Sequence, residues 1–153
     1  MIVVDASAVV AILTREDGFD TLSARLMASD VRRINPVSYV EALMALTRIH
    51  APKSTPTAAA EPLEVVTLEH FRPVHPSPAK VLDAYLERTA IRLHAIDAEQ
   101  AKWAQHAFLT FGKGRHPAKL NLGDCFSYAA AKALNAPLLY VGGDFAKTDI
   151  RAA

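Results

Sequence analysis

The chain has 153 residues, and 51% hydrophobic against 22% charged content is enough to bury the core of a single domain over residues 1–153. Seventeen Lys and Arg against sixteen Asp and Glu leave a formal charge of +1, so no global field advertises nucleic acid and any basic footprint has to be local. The lone Cys125 excludes an internal disulfide, "MIVVDASAVV" lacks the basic start of a secretion signal, and no apolar run can span a bilayer, which together point to the cytoplasm.

Met1 to Val4 are apolar without alternation, the pattern of a parallel strand covered on both faces, and Asp5 ends the run abruptly. "ASAVVAIL" then reads as a short helix, Asp17 to Ala28 as a second, amphipathic one, and "VRRIN" as a weak strand. A further helix follows, with Asn35 as its cap and Pro36 at its first position. Residues 51–78 hold six of the nine prolines and read as a long loop or insertion, with only "AAEPLEVVTLEHF" resembling a short element. Regular structure resumes with the helix "AKVLDAYLERTA", the alternating strand "IRLHAI" and a helix from Asp97, where Gln100 three residues later completes a capping box. That helix runs from Ala98 to Phe111 and stops at Gly112; "GKGRHPAKLN" then gathers Lys113, Arg115, His116 and Lys119 in a loop. Asn121 or Gly123 opens the apolar helix "LGDCFSYAAAKAL", and "APLLYVGGD" reads as a turn, an apolar strand and another abrupt acid, Asp144. Strands alternating with helices predict an α/β/α sandwich around a mainly parallel sheet.

Parallel α/β sheets place ligand sites beyond the carboxyl ends of their strands, where this reading puts Asp5 and Asp144. Glu41 has apolar Val37, Met44 and Ala45 on its own helical face, and Asp124 opens a helix too apolar to be exposed, with Ser127 and Tyr128 beside it. Each acid alone has an ordinary explanation: a turn residue, a helix cap or dipole partner, or for Glu41 an ion pair with Arg15, Arg25, Arg33 or Arg48. Four such acids in one small domain are not all caps. A cluster of carboxylates without matching Lys or Arg needs a cation, and hard oxygen donors suit Mg²⁺ or Mn²⁺.

Other chemistries lack their residues. The six histidines show no H-x-H or H-E-x-x-H spacing, and Walker A, G-x-G-x-x-G and G-x-S-x-G patterns are absent. Cys125 reads as a small buried hydrophobe, because the adjacent Asp124 carboxylate disfavours a thiolate.

At "MIVVDASAVVAIL", "VSYVEAL", "FGKGRHPAKLNLGDCFSYAAAKAL" and "LLYVGGDFAKTDI" the sequence resembles the PIN-domain ribonucleases, specifically the toxins of VapBC-type toxin–antitoxin pairs. The resemblance covers nearly the whole chain apart from residues 51–78. It implies a PIN-like fold in which Asp5, Glu41, Asp124 and Asp144 hold Mg²⁺ or Mn²⁺ and carry catalysis, with Ser7 close to the metal shell and Asp149 as the alternative fourth acid. It also implies hydrolysis of an RNA phosphodiester, in tRNA or rRNA, by metal-activated water, with no side-chain nucleophile. Lys113, Arg115 and Lys119 then become phosphate contacts, the alternative being a merely solvated basic turn. A small VapB-type antitoxin and a homodimer are the partners the resemblance implies, and no membrane. A second reading keeps the fold as a catalytically silent protein-interaction module, and a dehalogenase-like phosphatase is disfavoured because position 7 of its D-x-D motif is Ser.

Overall fold

A computed structural model describes residues 1–50 and 77–153. The strands are β1 (Ile2–Val4), β2 (Arg32–Ile34), β3 (Ile91–Leu93) and β4 (Leu138–Leu139); the helices are α1 (Ala6–Thr14), α2 (Phe19–Met27), α3 (Pro36–His50), α4 (Pro78–Arg88), α5 (Ala98–Phe111) and α6 (Leu122–Ala133), with a short 3-10 turn at Phe145–Lys147. The described strands form one wholly parallel sheet in the order β3-β2-β1-β4.

β1 reads as an unbroken apolar run because it is central and covered on both sides. Ile2 and Val4 enter one core with Val9, Leu26, Ile34, Leu46 and Leu82, drawn from α1 to α4 and β2. Val3 enters the other, with Ala107, Tyr128, Leu138 and Phe145. Ala104 and Ala107 of α5 and Ala129, Ala130 and Ala131 of α6 are buried there, and their small side chains let the two helices approach closely. The strand order reverses between β1 and β4, since the chain moves outward through β2 and β3 and then returns to the far side of β1. That is the switch point at which open parallel sheets form a crevice, and Asp5 sits at its mouth.

Most expected boundaries hold within a residue or two. α5 spans the expected residues, and Asn35 caps α3, its Oδ1 accepting the Ser38 N–H at 2.9 Å. α2 starts two residues later than Asp17, after Gly18 in the left-handed region at φ 86°, and α4 starts one residue early, with Pro78 in its first turn under a Ser77 cap. β3 keeps only the first half of "IRLHAI"; as the sheet edge it is bonded on one side alone. The Asp97 box is half formed: Asp97 accepts the Gln100 N–H, but the Gln100 amide turns inward and donates to the Ala95 carbonyl. The possible element at "AAEPLEVVTLEHF" lies outside the described residues.

β2 reads weakly as a strand because two arginines occupy it, and the burial of Arg32 has a local cause. Its guanidinium donates to the Leu26, Met27 and Thr89 carbonyls, closing the carboxyl ends of α2 and α4. Among the described residues no helix is long and apolar enough to cross a membrane.

Candidate metal-dependent nuclease site

Asp5 is the first residue past β1 and the cap of α1. Its Oδ2 accepts the Ser7 N–H at 2.9 Å and the Ser7 hydroxyl at 2.6 Å, and its Oδ1 accepts the Ser127 hydroxyl at 2.6 Å. A carboxylate offers about four lone-pair positions. Three are engaged, so Asp5 is held rigidly with one position on Oδ1 left for a ligand. The Ser7 hydroxyl also accepts the Val141 N–H at 3.0 Å, which ties the chain beyond β4 to the start of α1.

Glu41 is half-buried on α3, and Asp124 lies in the first turn of α6. Asp124 does cap its helix: its Oδ2 accepts the Asn121 N–H at 2.8 Å while the Asn121 side chain accepts the Asp124 N–H at 3.0 Å. The cap and the site are therefore two uses of one carboxylate, with Oδ1 taking no hydrogen bond among the described residues. Asp5, Glu41 and Asp124 line one cavity of about 340 Å³, together with Ser7, Glu16 and Asn121. Gly123 fits beneath Glu41 so closely that a Cβ built there would fall on its carboxylate.

Among the described residues, the electrostatics are those of carboxylates without a counter-ion. Burial, then the charges of Asp5 and Asp124, push Glu41 above its ordinary value. Asp124 is also raised, chiefly by burial; the Asn121 N–H opposes this, and Asp5 and Asp144 add to it. None of the arginines considered for Glu41 forms a salt bridge with it among the described residues, where the ion pair present is Lys132 with Asp149 at 2.6 Å. Two raised carboxylates mean that the folded chain holds more protons than the unfolded one, so their contribution to stability is present below the ordinary carboxylate range and is lost as pH rises through the raised values. Glu41→Gln is therefore expected to match the metal-free wild type below the ordinary carboxylate range and to be the more stable at neutral pH, by at most about 1 kcal/mol because Glu41 is partly solvent-screened. Thermal melts of both proteins in chelator across that range check this.

Two expectations need correction. Asp144 does not end a strand: β4 stops at Leu139, and Asp144 is an exposed residue before the 3-10 turn that lines no part of the cavity and acts on Asp124 only through its charge. Asp149 belongs elsewhere, bonded to Lys132 and to the Tyr128 hydroxyl; partial burial opposes ionisation, but those two donors win and hold its carboxyl below the ordinary value. Tyr128, one turn along α6 from Asp124, is buried in the second core. Cys125 is buried, and burial with the Asp124 charge pushes its thiol up to about 11, which suits a core residue.

Glu16 was not among the expected acids. It follows α1 in a tight reversal where Arg15 adopts the left-handed conformation and the Glu16 N–H returns to the Ala11 carbonyl at 2.9 Å, which brings its side chain to the cavity. Its only signal in sequence is the polar "TRED" ending an apolar helix. Lys113, Arg115 and Lys119 lie exposed on the loop between α5 and Asn121, outside the cavity lining, with the Arg115 guanidinium 5.0 Å above the Phe108 ring.

The PIN domain family matches residues 2–151. The chain is 38% identical over 149 residues to ribonuclease VapC30 of Mycobacterium tuberculosis, covering 97% of this chain and 95% of that one. The chain belongs to the PIN-domain family of VapC ribonucleases. A VapC ribonuclease of Mycolicibacterium smegmatis is 37% identical over 151 residues, 98% of each protein. The crystal structure of Mycobacterium tuberculosis VapC20, a sarcin-ricin loop cleaving toxin, superposes with a TM-score of 0.65 over 100% of this chain and 98% of that one at 16% identity, which supports the α/β/α fold.

The donor set fits a hard divalent ion, being all oxygen, uncompensated and partly desolvated. As placed, no three His, Cys, Asp or Glu side chains among the described residues stand close enough to share one ion. Glu41 has three rotatable bonds with which to close the gap, while Asp5 is fixed.

Proposed function

We propose that this VapC-family chain is a Mg²⁺- or Mn²⁺-dependent endoribonuclease, the toxin of a toxin–antitoxin pair. The observation that carries the reading is the convergence of Asp5, Glu41 and Asp124, from three different elements, on one cavity at the sheet switch point with no Lys or Arg counter-ion among the described residues. These three residues would hold the ion, and Asp144 would add negative potential from outside the first ring of donors. When bound, such an ion lowers the pKa of its water and neutralises charge on the phosphate. Asp5, clamped by Ser7 and Ser127, orients that centre, and Asp124 does so from the rigid start of α6. Glu41 and Glu16 are the movable carboxylates able to take up a proton from water at the cavity. Lys113, Arg115 and Lys119 would hold the RNA backbone, and Ser7 has one lone pair left for a substrate donor. The substrate class is structured RNA, tRNA or rRNA, cut in an exposed loop; a VapB-type antitoxin and a second copy of the chain are the expected partners.

Incubating the purified protein with total tRNA and rRNA should give discrete fragments in Mg²⁺ or Mn²⁺, and chelation should stop cleavage reversibly. Intact RNA together with no metal binding would instead favour the silent interaction module. Replacing Lys113, Arg115 and Lys119 by Ala should weaken RNA binding across sequences and flatten its dependence on log salt by about 1 for each phosphate that is no longer neutralised. An unchanged slope would leave that loop a solvated turn.

A further inference from the structure

Ser127 sits in the middle of α6, where serine is a neutral or poor choice and alanine would fill the space, and Ser38 lies in the first turn of α3; both are 0% exposed. Ala129, Ala130 and Ala131 are buried further along the same helix as Ser127. The two serine hydroxyls approach to 2.7 Å, and the direction of every proton in the chain of contacts follows from the ends. Ser127 donates to Asp5 Oδ1, so it must accept from Ser38. Ser38, its single proton spent, must accept from the Asn35 side-chain amide at 2.8 Å. The Asn35 amide cannot be reversed, because its oxygen already accepts the Ser38 N–H. Asn35 is likewise 0% exposed and Asp5 4%.

We infer that Asn35, Ser38 and Ser127 form a buried one-way hydrogen-bond relay whose function is to fix the Asp5 carboxylate for its cation, an inference that rests on the metal-dependent reading above. A short bond from a hydroxyl to a carboxylate is charge-assisted, and a satisfied buried network holds its terminal group in one rotamer. Ser7 fixes Oδ2 from the solvent side of α1 and the relay fixes Oδ1 from the core. Asp5 therefore has no freedom to turn away from its ligand. Ser127 and Ser38 are positioning residues, as neither lines the cavity.

The test is Mn²⁺ affinity of the intact chain, read by calorimetry or electron paramagnetic resonance, for wild type, Ser38→Ala, Ser127→Ala and the double variant, with thermal melts alongside. Ser127→Ala is expected to weaken Mn²⁺ binding by about 10- to 100-fold, the size typical when a partner of a ligating side chain is removed. Ser38→Ala should weaken it less. The double variant should bind as Ser127→Ala does, because Ser38 reaches Asp5 only through Ser127, while its melting temperature should not recover, since removing the Ser38 hydroxyl strands the buried Asn35 amide donor in its turn. Should Ser127→Ala fail to fold, Ser127→Cys, similar in shape but a weak donor, carries the same comparison. Wild-type affinity in the Ser127 variant, or affinity losses that add in the double variant, would overturn the relay alone. A wild type that binds no Mn²⁺ would overturn the metal-dependent reading and the relay's purpose with it.

Discussion

Asp5→Asn is expected to abolish Mn²⁺ binding and to lower RNA cleavage by about three orders of magnitude or more, since several kcal/mol of transition-state charge stabilisation is lost with the ion. The substitution keeps the shape and removes two properties at once. The charge disappears, and one carboxylate oxygen becomes an NH₂ group facing donors. With its oxygen towards Ser7 the amide keeps both Ser7 bonds, but its NH₂ then faces the Ser127 hydroxyl, which has to turn round to accept and so upsets the buried bond to Ser38. That mismatch costs about 1–3 kcal/mol. Relief of repulsion with Glu41 and Asp124 offsets part of it, because Asp5 contributes to raising both. The net result is a melting temperature lowered by a few degrees in a protein that still folds. Metal titration, cleavage of the tRNA and rRNA pool and a thermal melt on the same preparation check all three. Cleavage at the wild-type rate would remove Asp5 from the chemistry, whatever its role in capping α1.

The difference between what could be read from the sequence and what could not follows the range of the interactions. Asp5 after an apolar strand and Asn35 before Pro36 are local signals, each satisfied within a turn of chain, and both appear where expected; of the two expected starts of α6, Asn121 proves to be the cap. The parallel sheet was legible for the same reason: strands buried on both faces lose their alternation. Asp144 was misplaced because "LLYV" continues the apolar run, yet only Leu138 and Leu139 pair with β1, and the chain leaves the sheet before the acid arrives. Asp149 could not be separated from it by spacing, since its partner Lys132 is set by the packing of α6 against the last residues. Ser127 reads as a small residue in an alanine-rich helix. What makes it a partner of Asp5, 122 positions away in sequence, is the seating of α6 beside β1, and no local pattern encodes that contact.

Gly123→Ala separates stability from function in a way few substitutions at this site can. Position 123 is the second residue of α6, where replacing Gly by Ala favours the helix by up to about 1 kcal/mol. The new Cβ, however, occupies the space of the Glu41 carboxylate. The obstacle is the far end of a long, flexible side chain, so Glu41 swings aside at small cost and the backbone is left alone. A melting temperature equal to or above that of wild type is therefore expected. Cleavage should fall by about 100-fold, the loss that accompanies a misplacement of roughly 1 Å in a group required at the reacting centre. Glu41→Gln supplies the contrast: it removes the charge without moving the side chain, so both variants lose activity while only the glutamine variant loses the neutral-pH repulsion that destabilises wild type. Full activity in Gly123→Ala with a raised melting temperature would mean that Glu41 works from a position other than the one it occupies against α6.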